Sequence, residues 1–130
     1  MAENPNVALH RKGHEAFSRG DKDTLAEIIA EDTVWHNAGK GPLSGEYSGR
    51  DAVFGFFEQL AELTGGTLEI EDQYFLGSEE RTVALFRFTA TRGDKTLNAD
   101  LCEVVSWRDG QVIEEWLFAF DQYTYDDFWS

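Results

Sequence analysis

The sequence predicts an α+β fold, with helices packed on one face of a curved antiparallel sheet. Two observations carry that prediction. Residues 1–65 show apolar positions at helical spacing, whereas residues 66–130 alternate apolar and polar. No linker, repeat or low-complexity stretch divides the halves, so they read as two layers of a single domain over 1–130. The order of elements is α-α-β-α-β-β-β-β, a cone with an interior able to hold a small apolar ligand.

The first helix is expected from Pro5 to Ser18, with Asn4 as its cap, proline at the first helical position and Gly20 as its stop. Leu9, Gly13, Ala16 and Phe17 form its apolar stripe. A short second helix follows Asp21 or Asp23 and buries Leu25, Ile28 and Ile29. Thr33–Asn37 reads as a short strand. Residues 39–49 (GKGPLSGEYSG) hold four glycines, one proline and two serines, and read as a loop. Ser48 opens a third helix in a capping-box-like S-G-R-D arrangement, with Val53, Phe54, Phe57, Leu60 and Ala61 on one face and Gly65-Gly66 at its end. Four strands follow, Thr67–Leu76, Arg81–Arg92, Lys95–Trp107 and Gln111–Tyr123. Gly93-Asp94 and Asp109-Gly110 form two of the turns.

Composition excludes several functions. The 11 Lys+Arg against 25 Asp+Glu give a formal charge of −14, which repels nucleic acid and anionic membranes. Hydrophobic residues make up 42% and aromatics 14%, too many for a disordered acidic chain. No apolar run reaches membrane-span or signal-peptide length, and the single cysteine, Cys102, cannot form an internal disulfide. The expected location is therefore the cytoplasm.

Three stretches together resemble the SnoaL-like branch of the nuclear-transport-factor-2-like superfamily, which holds ketosteroid isomerases and small polyketide cyclases. They are FSRGDKDTLAEIIAEDTVWHNAG, GPLSGEYSGRDAVFGFF and WRDGQVIEEWLFAFDQYTYDDFW, which span most of residues 17–129. The resemblance implies the cone fold, a homodimer and a pocket for small molecules. Its members catalyse several reactions or none, so it does not fix the chemistry.

Three residues are candidates for that chemistry. His36, in T-V-W-H-N-A-G, matches the position of the general-base aspartate of ketosteroid isomerases, and an imidazole suits proton abstraction near neutral pH. Glu103 is a lone carboxylate in the row Leu97, Ala99, Leu101, Glu103, Val105, Trp107. Burial there should raise its pKa and let it donate to a developing oxyanion, as an acid does in the ketosteroid isomerases it aligns with. A bland alternative is that this row meets a dimer partner, or that Glu103 pairs with Arg87. Asp121, in F-A-F-D, matches the catalytic aspartate of SnoaL-like cyclases. It could equally cap the segment that follows.

Trp35, Phe54, Phe57, Phe86, Phe88 and Trp116 are expected to wall the pocket. His10 and His14 stand four apart on the first helix. With no HExxH motif and no adjacent cysteine, they read as a solvated face rather than a metal site. No cofactor or metal motif is present. The expected function is a cofactor-independent isomerase, cyclase or dehydratase acting on a small apolar carbonyl compound. The alternatives are a non-catalytic ligand-binding or dimerisation domain, and an epoxide hydrolase using Arg87 with Asp121.

Overall fold

The computed structural model describes residues 3–130. Its elements are α1 (Pro5–Arg19), α2 (Lys22–Ile28), β1 (Ile29–Asn37), β2 (Gly45–Ser48), α3 (Arg50–Thr64), β3 (Glu69–Gly77), β4 (Arg81–Arg92), β5 (Lys95–Arg108), β6 (Gln111–Ala119) and α4 (Gln122–Trp129). The strands form one sheet in the order β2-β1-β6-β5-β4-β3. All neighbours are antiparallel except β1 and β6, which run parallel. The sheet bends into an unclosed cone.

Local chemistry sets the ends. Asn4 accepts from the backbone N–H of Asn6 at 2.9 Å to cap α1, and Gly20 ends that helix in the left-handed region at φ 68°. Asp21 caps α2 through the backbone and hydroxyl of Thr24. α3 departs from expectation: its cap is Gly49 at φ 92°, without a side-chain bond, while Ser48 turns to Glu46.

Two elements were hidden in the sequence. The glycine-rich stretch contains β2, whose four residues pair with β1. The last strand ends at Ala119, and the rest becomes α4 because Asp121 accepts from the Thr124 backbone and hydroxyl. α4 carries Tyr125, Phe128 and Trp129 into the core beside Phe88. Arg92 and Lys95 hold the carbonyls at its end.

Curvature comes from bulges, which raise twist and bend a strand. One lies between Asp72 and Tyr74 on β3, and another leaves Ile113 of β6 without a partner on β5. The concave face buries Ala84, Phe86 and Phe88 of β4 with Leu97, Leu101, Glu103, Val105 and Trp107 of β5, so the Glu103 row faces inward rather than toward a partner chain. α1, α2 and α3 cover it. No helix among the described residues is long and apolar enough to cross a membrane.

The cap of α4 gives a direct test. Asp121→Ala should lower the urea midpoint with the m-value unchanged, and Asp121→Asn, which keeps the acceptor, should restore most of it. Equal stability of the alanine variant would show that the cap does not hold α4.

Candidate functional site

Val7, His10, His14 and Phe17 follow one another at spacings of three, four and three, and so share a stripe along α1. That stripe packs over the concave face. The two histidines, expected in solvent, are buried instead, with side chains only 4% and 11% exposed. The reason lies opposite them. Glu103 is buried on β5, and a buried carboxylate needs partners. His10 Nε2 and His14 Nε2 each stand 2.7 Å from Glu103 Oε1.

The other ring nitrogens fix the protons. His14 Nδ1 is 2.7 Å from Asp72 Oδ1, so this ring has a carboxylate at each nitrogen and donates to both as an imidazolium. Burial opposes that charge, but the charge of Glu103 and the hydrogen bonds to Asp72 and Glu103 outweigh it and raise the His14 pKa to about 9. His10 Nδ1 lies 2.8 Å from Thr82 Oγ1, which already accepts the Trp107 indole N–H at 2.8 Å. His10 thus bridges the Thr82 hydroxyl and the Glu103 carboxylate, to which its Nε2–H donates.

Glu103 is thereby held ionised. Burial pushes its pKa up, yet His14 and the donors on both rings hold it well below the usual carboxylate value. The protonated acid expected at position 103 is found instead at Glu115, 1% exposed. Burial first, then the charge of Glu103 and a hydrogen bond to it, hold the Glu115 pKa well above its ordinary value. The β6 bulge places it there: Val112, Glu115 and Leu117 all face the cavity, a spacing that strict alternation forbids.

These groups sit in a cavity of about 100 Å³ whose other walls are apolar. Trp35, Phe57, Phe86, Phe88, Trp107 and Tyr125 line it. Phe54 lines a separate outer cleft. Trp116 faces the convex side, stacked on His36 at 5.5 Å with the Arg81 guanidinium 5.2 Å from its ring.

The remaining predicted residues do not join this cluster. His36 lies on the convex side, its Nε2 2.7 Å from Glu114 and its Nδ1 3.6 Å from Glu46. Asp121 is exposed, and the Thr124 hydroxyl and backbone it caps hold its pKa down. Arg87 pairs with Asp100, so it meets neither Glu103 nor Asp121. Sequence reasoning missed His10, His14, Asp72 and Glu115. The 7-10-14-17 stripe, facing a strand that buries a carboxylate, was the available signal for the histidines.

His10, His14 and Glu103 offer three donor atoms within 4.8 Å of one another, a spread that suits a divalent cation. A cation there would have to displace the His14 proton held between two carboxylates. The donor set is therefore already satisfied as a proton-holding cluster. Its chemical capacity is that of two carboxyl groups sharing one proton, with the ionised one braced by two imidazoles.

The family model of the SnoaL-like domain matches residues 10–115. Bal32a, from a soil-derived mobile gene cassette, is 35% identical, with a TM-score of 0.94 and 97% of each chain covered. The uncharacterised Mycobacterium tuberculosis protein Rv0034 is 26% identical over the whole of both chains. An NTF2-like protein of Burkholderia xenovorans, 23% identical with a TM-score of 0.84 over 100% of this chain and 99% of its own, shares the fold.

The raised pKa of His14 ties stability to pH. Protonation at His14 stabilises the fold fully below about 6.5, and that contribution is lost as pH rises through about 9. Its size is on the order of 3 kcal/mol. Urea unfolding at pH 6 and pH 9.5 should show this fall, and His14→Gln should shrink it. An equal fall in the variant would place the titration elsewhere.

Proposed function

We propose that this chain, which belongs to the SnoaL-like family, is an acid–base enzyme that moves a proton next to the carbonyl of a small apolar compound. The observation that carries the reading is the Glu103–Glu115 pair, one carboxylate and one carboxylic acid facing an aromatic-walled cavity. Isomerisation, aldol-type cyclisation and dehydration share that step.

The sequence of proton movements follows from the charge states. A ligand carbonyl oxygen accepts from the Glu115 hydroxyl. As the C–H bond beside the carbonyl breaks, its proton passes to Glu103, its electrons form the C=C bond of the enol, and the Glu115 proton moves to the oxygen. Glu103 at rest is a weak base. Once Glu115 gives up its proton, a second negative carboxylate stands beside Glu103 and raises its proton affinity when it must take one. Reprotonation from Glu103 at a second carbon, with the enol O–H proton returning to Glu115 as the C=O bond re-forms, completes an isomerisation. His10 and His14 are positioning residues that keep Glu103 turned toward the ligand. Chemistry by these side chains needs no cofactor. His36 and Asp121 have no role in it.

The test is exchange of the protons beside the carbonyl of octan-2-one in D₂O, followed by NMR. The wild type should exchange them above the buffer rate, with no loss on adding EDTA. Glu103→Gln and Glu115→Gln should each fall by about 100-fold or more, while His36→Ala should stay within about twofold. Binding without exchange would mean a passive ligand carrier, and loss with EDTA would mean a metal-dependent step. Either result removes this mechanism.

We also propose a homodimer through the convex sheet face, where Phe118 is 44% exposed and neighbouring Phe120 70% exposed beside Trp116. Such a row is a large apolar patch for a lone chain. Sedimentation at micromolar concentration should give a dimer, and Phe118→Glu should give a monomer. A wild-type monomer would end this proposal.

A further inference from the structure

The cavity holding Glu103 and Glu115 is small. At about 100 Å³ it falls below the 150 Å³ or so of an apolar hole that admits benzene. Beside it lies a wider cleft of about 490 Å³. The cleft runs between the end of α1, the start of α2, α3 and the start of β3, and opens to solvent past Ser18, Glu58 and Ala61.

The two spaces have a common wall. Phe17, Leu25, Phe57, Leu60 and Ile70 line both. Phe17 from α1 and Phe57 from α3 meet edge to face across it, with ring centroids 5.1 Å apart. Both rings are only half-buried, unlike Phe56 and Leu60 beside them, which are 4% exposed. Phe57 also packs on Trp35, which lines the inner cavity, at 5.4 Å and on Phe54, which lines the outer cleft, at 6.1 Å.

We infer that the inner cavity and the outer cleft are two parts of one binding site, parted by Phe17 and Phe57, and that its ligand is a neutral molecule with a single oxygenated head and an extended apolar tail. The head reaches Glu115 in the inner cavity, and the tail lies in the cleft. The inner space is too small for the whole ligand, and the cleft is contiguous with it through apolar side chains alone. The head is uncharged because the carboxylates of Glu103 and Asp72 outnumber the one His14 imidazolium held between them, so an anion would meet a net negative cluster. The inference rests on the proposed site only for where the head sits.

The probes are the alkan-2-ones from butan-2-one to nonan-2-one. Binding is read from quenching of Trp35 and Trp107, which line the inner cavity. Each added methylene should tighten Kd by about fourfold as the tail enters the cleft. Ala61→Phe and Ser18→Phe place a ring in the cleft from exposed positions. In either folded variant butan-2-one should bind within about twofold of wild type, and the gain with chain length should vanish. Nonanoate should bind at least about tenfold more weakly than nonan-2-one to the wild type, as a like charge brought near Glu103 requires. A wild-type series that is flat beyond butan-2-one, or one unchanged in both variants, overturns the two-part site. Equal affinity for nonanoate overturns the neutral head. The series reads affinity alone, so it stands or falls separately from proton exchange.

Discussion

Everything at the centre of this molecule depends on how one buried carboxylate is kept charged. Glu103 occupies a position in β5 that parity assigns to the core, where an isolated anion is too costly to persist. Two imidazoles from one helix meet it at 2.7 Å, and a second buried carboxyl group, Glu115, lies close enough for the charge of Glu103 to raise its pKa. This network sets the position of α1. His10 is tied to Thr82 on β4, His14 to Asp72 on β3, and both to β5, so three strands fix one helix. The helix cannot slide without breaking a charged contact.

The bulge at Ile113 is the second constraint. Without it, β6 would present Val112, Glu114 and Trp116 to the cavity, and Glu115 would face outward. With it, Glu115 enters the core, and Glu114 and Trp116 turn to the convex side, where they hold His36. A single unpaired residue thus decides which glutamate meets Glu103. It also explains why His36 is half-exposed: its strand is aligned with the outward row of β6.

The fold was legible because its signals are periodic. Alternation in β4 and β5, the D-G turn at Asp109-Gly110 and the helical spacing in α1 and α3 all follow rules of local repetition. Parity put Glu103 in an apolar row but left open whether that row faced the cavity or a partner; the structure turns it inward, where Trp35, Phe57, Phe86 and Phe88 also line the cavity. Trp116 did not, because alternation was carried across a bulge that no local signal marks. α4 was hidden because Asp121 can end a strand or cap a helix, and only packing of Tyr125, Phe128 and Trp129 selects the second. The histidines were misread for a different reason. An i,i+4 pair on a helix looks solvated until the facing strand is known to bury an acid, and that is a non-local fact.

A cluster of this kind is poor evidence of stability. Replacing a buried ion network with well-packed apolar side chains is often neutral or stabilising. The surrounding core, with Phe86, Phe88, Leu101 and Val105, shows that this fold can fill such space with hydrocarbon. Yet Glu103, Glu115, His10 and His14 all line the inner cavity among the aromatic walls, and Glu115 holds a proton with no better acceptor than another carboxylate. Charge states set this far from their ordinary values gather where a proton is to be transferred. The arrangement makes physical sense if the missing partner of that proton is a ligand oxygen. Under the proposed function, the small inner volume would then set how much of that ligand can enter, and the aromatic wall would matter to selectivity as the acids do to the chemistry.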